Sequence, residues 1–233
     1  MKFKIDSRIF EKFPDLNIGI VTAKGIDNKG INEEIINQIR EKEKEIRANF
    51  SKETLSQDPK IDAWRKAYSS FKAKPKKYRC SVENLYRMIL DGIELRHINK
   101  VVDIYNYISI KNMIPVGGDD TDKIDGNITL KFAQGDEPFV ELNSKETKNP
   151  KEGEVIYADD KEVLCRRWNW RECDKSKMTE ETKNVALVVE GLPPTTKEDV
   201  EKIIEELSVL VQKSFGGEIK TFILNNSNVE VEI

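Results

Sequence analysis

Histidine and cysteine are scarce in this chain: there is one histidine, His97, and three cysteines, Cys80, Cys165 and Cys173, among 233 residues. A single imidazole gives little support to a zinc site or to Ser-His-Asp catalysis. Three widely spaced cysteines make neither a disulfide framework nor a CxxC knuckle. Reduced thiols in a cytoplasmic protein are the simplest reading. No apolar run approaches the ~18–20 residues that span a bilayer. The opening residues, Met1-Lys2-Phe3-Lys4-Ile5-Asp6, interleave charge with apolar side chains, which is not a signal-peptide pattern. Positive charge is not in excess either: 39 Lys and Arg against 42 Asp and Glu give a net charge of −3. That excludes a bulk nucleic-acid binder and confines any RNA contact to local basic patches.

What is present is enough apolar material, 38% of residues, to build a packed core. The length fits one large domain or two small ones, and no polar linker separates two units. Residues 3–5 and 16–22 read as strands. A helix begins near Asn32, with Ile35, Ile39, Ile46 and Phe50 on one stripe and the charge run 40–45 on a solvated face. Asp58-Pro59 opens a second helix that buries Ile61, Trp64, Tyr68 and Phe71. Ser81 is expected to cap a third, carrying Val82, Leu85 and Ile89 and stopping at Gly92. Residues 100–112 read as a mostly buried helix whose Asp103 and Asn106 need partners. After Pro115, residues 117–120 read as an abrupt loop, and 127–190 as short strands. Thr196 and Asp199 cap a last helix that ends at Gly216-Gly217. Residues 219–224 and 228–233 have the pattern of a final hairpin.

Three constellations could carry chemistry. The first is Cys165-Arg166-Arg167-Trp168-Asn169-Trp170-Arg171-Glu172. Arginine forks bind phosphate and indole faces stack on bases. A strand with its tryptophans in the core and its arginines paired to carboxylates is the structural alternative. The second is Gly117-Gly118-Asp119-Asp120-Thr121-Asp122, where glycines allow close backbone approach and carboxylates could orient a water or a divalent cation. Turn chemistry explains the same cluster. The third is the basic stretch 72–79, with Lys74, Lys76, Lys77 and Arg79 beside Phe71 and Tyr78, a candidate polyphosphate contact or simply solvated lysines. His97, with no carboxylate close in sequence, reads as a surface or capping residue.

Taken in order, these segments resemble a known family. Trp64…Tyr68…Lys74-Pro75-Lys76-Lys77…Ser81-Val82-Glu83, then Val102-Asp103-Ile104-Tyr105-Asn106, Pro115, Asp120 and the 165–171 string are similar to free-standing B3/B4-domain proteins. Those are relatives of the editing module of the phenylalanyl-tRNA synthetase β subunit. The resemblance implies an α+β fold with a β-sandwich, SH3-like core wrapped by helices. It covers about residues 5–230, essentially the whole chain, and implies one compact module, 1–233, of two interleaved sub-parts with the site at their seam. It further implies hydrolysis of mischarged aminoacyl-tRNA in trans by a positioned water. The partner would be the aminoacylated 3′ end of a tRNA, with no cofactor, metal, membrane or DNA. The catalytic set implied is Asn106, Gly117, Gly118, Asp120 and Glu172, with backbone N–H groups of the two glycines at the oxyanion. Lys74, Lys76, Lys77, Arg79, Arg166, Arg167, Trp168, Asn169, Trp170, Arg171, Thr179 and Thr182 would hold substrate or RNA. Two features depart from the family pattern. Gly117 stands where a histidine is expected, and Trp168 and Trp170 replace small residues near the pocket. A non-catalytic tRNA-binding module and an amino-acid-binding protein are the competing functional readings.

Overall fold

In the computed structural model, which describes residues 1–233, the chain alternates between two sheets. Strand β1 (Lys2–Ile5) and helix α1 (Ser7–Lys12) lead into β2 (Asn17–Lys24). Helices α2 (Glu33–Asn49), α3 (Pro59–Ser70), α4 (Ser81–Leu90) and α5 (Lys100–Asn112) follow. Then come β3 (Val116–Asp120), β4 (Ile128–Phe132), β5 (Val155–Ala158), β6 (Val163–Arg166), β7 (Arg171–Glu172) and β8 (Asn184–Gly191). Helix α6 (Lys197–Phe215), β9 (Glu218–Leu224) and β10 (Glu230–Glu232) complete an α+β fold, the expected class. No helix is long and apolar enough to cross a membrane.

Side chains set most helix starts. Asn32, Asp58 and Asn99 each accept a hydrogen bond from a first-turn N–H, and Thr196 and Asp199 form a reciprocal capping box. Such a cap satisfies a donor the helix itself cannot, and contributes about 1 kcal/mol. Helix α4 departs from the expectation. Cys80 occupies its cap position without a side-chain hydrogen bond. Ser81 is already helical, so its hydroxyl is not aimed at the first-turn N–H groups, and it is buried without a partner. Two polar residues are also better partnered than expected. Glu43, inside the charge run, is fully buried and accepts from Arg40 and from the Leu95 N–H. His97 Nδ1 lies 2.5 Å from Asp103 Oδ2, which gives the buried Asp103 its partner.

One sheet has the order β10-β1-β4-β5-β6-β7 and the other β3-β8-β2-β9. The chain passes between them after β1, β3, β7 and β9, so neither sheet is a contiguous stretch of sequence. Pairing is antiparallel except for β1 with β4. Helix α6 lies tightly on the four-stranded sheet: a Cβ on Gly19 would come 2.3 Å from Ile204, and one on Gly191 2.5 Å from Val200.

Two elements differ from the sequence reading. Residues 117–120 belong to β3, an edge strand paired with β8 from Val116↔Val189 to Asp120↔Val185. Gly118 serves close packing, not a turn, since a Cβ there would stand 2.5 Å from Ala186 O. The terminal strands form no hairpin. The bridge Asn225↔Asn228 closes the turn, but β9 continues along β2 and β10 along β1, in different sheets. Each strand thereby covers a sheet edge whose N–H and C=O groups would otherwise lack partners.

Candidate functional site

The two sheets meet at a small cleft. Its floor is β3 and β8. Antiparallel partners share a face, and so do residues two apart on one strand. Gly117 therefore lies beside Val188, with Asp119 to one side and Glu190 to the other. Glu190 stands opposite Pro115, four residues from Asp119 along β3, which separates the two acids by roughly 13 Å. The opposite wall comes from the other sheet: Tyr157 of β5, and Cys165 of β6 paired with Glu172 of β7. Glu172 reaches over the bare floor at Gly117, where a Cβ would lie 3.2 Å from its Oε1. Ser81, Trp168 and Asn169 line the remaining side.

The cleft wall contains three carboxyls and no cation. Glu190 is 3% exposed and is held at both oxygens, by Tyr157 Oη at 2.6 Å and Asn169 Nδ2 at 2.5 Å. Tyr68 Oη in turn donates to Asn169 Oδ1 at 2.9 Å. Burial pushes Glu190 up to about 7 against the pull of these donors. Glu172 receives no side-chain hydrogen bond, and burial together with the neighbouring Asp119 charge raises it to about 7. Asp119, raised by burial to about 6, accepts from Ser176 Oγ. Carboxyls that change charge near neutrality are suited to proton transfer or to binding a cationic group.

Trp168 forms the inner corner of the cleft. It is fully buried and packs edge-on against Phe13 and Trp64, at centroid distances of 4.9 and 5.0 Å. Arg167 and Trp168 both have left-handed backbone, with φ of 47° and 69°. This turn costs of order 1 kcal/mol per residue and sends successive side chains opposite ways. Trp168 goes inward. Arg167 turns to Glu154 at 2.9 Å and stacks over Tyr78, 3.8 Å from the ring centre. Arg166 also pairs with Glu154, at 3.0 Å. Both guanidiniums are buried and share the single carboxylate of Glu154, so neither presents a free fork at the surface for phosphate. Trp170 is half-buried against Tyr78, and the exposed Arg171 pairs with Glu141 at 3.2 Å.

The structure thus brings Gly117, Gly118, Glu172, Trp168 and Asn169 together. Asn106 is half-buried on α5 and takes no part in the cleft wall. Asp120 is buried and accepts from Thr182 Oγ1 at 2.8 Å, while the Thr179 N–H donates to that same hydroxyl at 2.9 Å. These three residues hold a turn and do not line the cleft. Asp122 accepts from Asn184, so the acids of this segment diverge and no divalent-cation site forms. The two glycine N–H groups also differ. Asp120 N–H donates outward to Ser176 O, and Glu190 N–H pairs with Pro115 O across the ladder. Antiparallel alternation then turns the Gly117 N–H into β8 and leaves only the Gly118 N–H on the free edge. Lys74, Lys76 and Lys77 are exposed, whereas Arg79 leans to within 3.8 Å of buried Glu83. Glu190, Tyr157, Tyr68 and Ser81 were not anticipated as site residues, and Asp119 only as part of the 117–122 cluster. Strand alternation through 117–120 would have selected Asp119 over Asp120, and Glu190 is the one charge inside the apolar run of β8.

A B3/4 domain family model matches residues 63–215, which contain every residue of the cleft wall. The chain belongs to the B3/4 domain family. It is similar to the phenylalanine–tRNA ligase β subunit of Fusobacterium nucleatum, 29% identical over 135 residues, or 58% of this chain and 16% of that protein. The corresponding subunit of Colwellia psychrerythraea is 38% identical over 70 residues, 30% of this chain and 9% of that protein. The B3/4 chain therefore matches only a small part of the length of these relatives. A crystal structure of an N-terminal fragment of the phenylalanyl-tRNA synthetase β subunit from Pyrococcus horikoshii aligns with 93% of this chain and 49% of its own. The TM-score is 0.47 at 16% identity.

Proposed function

We propose that this B3/4 protein binds the aminoacylated 3′ end of tRNA and hydrolyses the ester of mischarged aminoacyl-tRNA in trans. The observation that carries the reading is the cleft itself: a carboxylate without hydrogen bonds, Glu172, poised near neutrality over the bare floor at Gly117. An aminoacyl ester is already activated, so a positioned water and a general base suffice. Glu172 takes a proton from water as the water oxygen bonds to the acyl carbon. The tetrahedral intermediate then expels the ribose oxygen, which takes up a proton, and the free amino acid leaves.

The surroundings favour an RNA end over a free metabolite. An acidic cleft repels phosphate, so the tRNA backbone must lie outside it. The exposed Lys74, Lys76 and Lys77 are on the loop that runs into Ser81 at the cleft wall. Phosphates can settle on this loop while the esterified end enters the cleft. The test is amino-acid release from a panel of mischarged tRNAs. At least one should be deacylated, and Glu172→Gln should slow that release by about 10²–10⁴-fold while leaving tRNA binding in place. Binding without release from any member would reduce the protein to a tRNA-binding module.

A further inference from the structure

Two side-chain donors in the cleft have nothing to bond to. The Ser81 hydroxyl and the Trp168 indole N–H are both buried without a hydrogen-bond partner, and both residues line the cavity. A buried donor left unpaired costs about 1–3 kcal/mol, and native folds retain few of them. The Trp168 N–H is close enough to Glu190 and Tyr157 to act on both, but lies outside hydrogen-bond geometry with either. The two donors flank one residue. Trp168 precedes Asn169 in the chain, and the Ser81 N–H contacts Asn169 Oδ1 at 3.4 Å. The left-handed backbone at Arg167 and Trp168 accompanies the turn of the indole into the interior. Strain of this kind gathers at binding sites.

Donors call for an acceptor oxygen on the ligand. The Glu172–Asp119 pair in the same cleft, with no cation near it, calls for a positive group. We infer that Ser81 Oγ and Trp168 Nε1 bind the acyl carbonyl oxygen of an α-aminoacyl group whose ammonium rests on Asp119, beside the general base Glu172. The inference rests on the aminoacyl-tRNA reading and deepens it. The wall also selects between two sources of this chemistry. The carboxylate of a free amino acid would add a negative charge beside three acids, whereas an ester carbonyl is neutral. On attack by water the carbonyl π pair moves to that oxygen, and the same two donors then face an alkoxide, where they bind more strongly. The site thus uses side chains of this chain where the glycine backbone was expected, and Trp168 acts as a binding residue as well as a core residue.

The experiment is calorimetric titration of the full chain with 3′-aminoacylamino-3′-deoxyadenosines carrying alanine, phenylalanine or tyrosine, which cannot be hydrolysed. A matched series has the carbonyl replaced by CH₂. Ser81→Ala and Trp168→Phe are the variants, the second keeping an aromatic ring in the core. Each should weaken binding of the carbonyl probe about tenfold and leave the CH₂ probe unchanged. Equal loss for both probes, or loss for neither, overturns the donor assignment while wild-type binding of the amides keeps the aminoacyl reading. Free alanine, phenylalanine or tyrosine bound as tightly as the amides overturns the choice of ester. If the wild type binds no amide, the inference and the reading beneath it fall together. Unchanged melting of Ser81→Ala separates this result from misfolding.

Discussion

Two segments of this chain look alike on paper, residues 72–79 and 165–171. Each carries several cations among aromatic residues. In the fold they have little in common. The first is a loop with Lys74, Lys76 and Lys77 in solvent. The second turns inward through a left-handed bend, buries Trp168 completely, and ties Arg166 and Arg167 to the shared Glu154. A cation counted in a sequence is not yet a cation on a surface. The partner carboxylate decides which it becomes, and Glu154 is more than ten residues upstream in a different turn. Changes in the inward segment should act on stability and on the chemistry of the cleft, and changes in the outward loop on RNA affinity.

The largest expected effect tests the inward half of this contrast. Glu154 is 4% exposed and is the shared partner of two buried guanidiniums. Glu154→Gln leaves Arg166 and Arg167 charged and unpaired, a change that typically costs about 3–5 kcal/mol. Urea denaturation should show that loss. A change below about 1 kcal/mol would mean the arginines find water, and the two segments would then be alike after all.

A smaller effect lies in pH. Glu190 is raised from 4.5 to about 7 by burial. Unfolded, it releases its proton near 4.5; folded, it holds it to about 7. Between those values the native state binds more protons than the unfolded one, so this group's contribution to stability falls as pH rises. The full difference amounts to roughly 3 kcal/mol, and Glu190→Gln should flatten that part of the stability profile between pH 5 and 8. A decline of equal slope in the variant would assign it to other groups.

Much of the frame was legible because it is local. Asn32, Asp58, Asn99 and Thr196 cap helices where a short side chain precedes an apolar stripe, and α5 falls on residues 100–112 as expected. Glycine misled twice in the same segment. Gly117-Gly118 looked like a turn, but the glycines are there because Ala186 O and Glu172 crowd an edge strand. Reading a loop also lost the strand alternation that separates Asp119 in the cleft from Asp120 beneath Thr182. The terminal hairpin failed for a related reason. Its turn is local, but the partners of β9 and β10 are set by sheet edges about 200 residues or more away in the chain. Within the site, Glu172 and Asn169 were found through family resemblance. Ser81 was expected as a cap, and its unpartnered hydroxyl emerges only when three segments distant in sequence converge.

The gentlest perturbation decides whether the outward loop has the role given to it. Lys74→Ala, Lys76→Ala and Lys77→Ala combined remove three exposed charges that hold no ion pair, so stability should move by less than about 0.5 kcal/mol per site. If the loop carries tRNA phosphates, the triple variant should bind charged tRNA about tenfold more weakly near physiological salt. The slope of log K against log salt should also shrink by about 2, since each lost phosphate contact removes about 0.7–0.9. Arg171→Ala supplies the control from the other segment. Arg171 is its only exposed arginine and already pairs with Glu141, so its loss should change the slope by less than 1. A steep slope that survives the lysine changes but collapses with Arg171→Ala would invert the comparison, placing the RNA on the segment that faces the core.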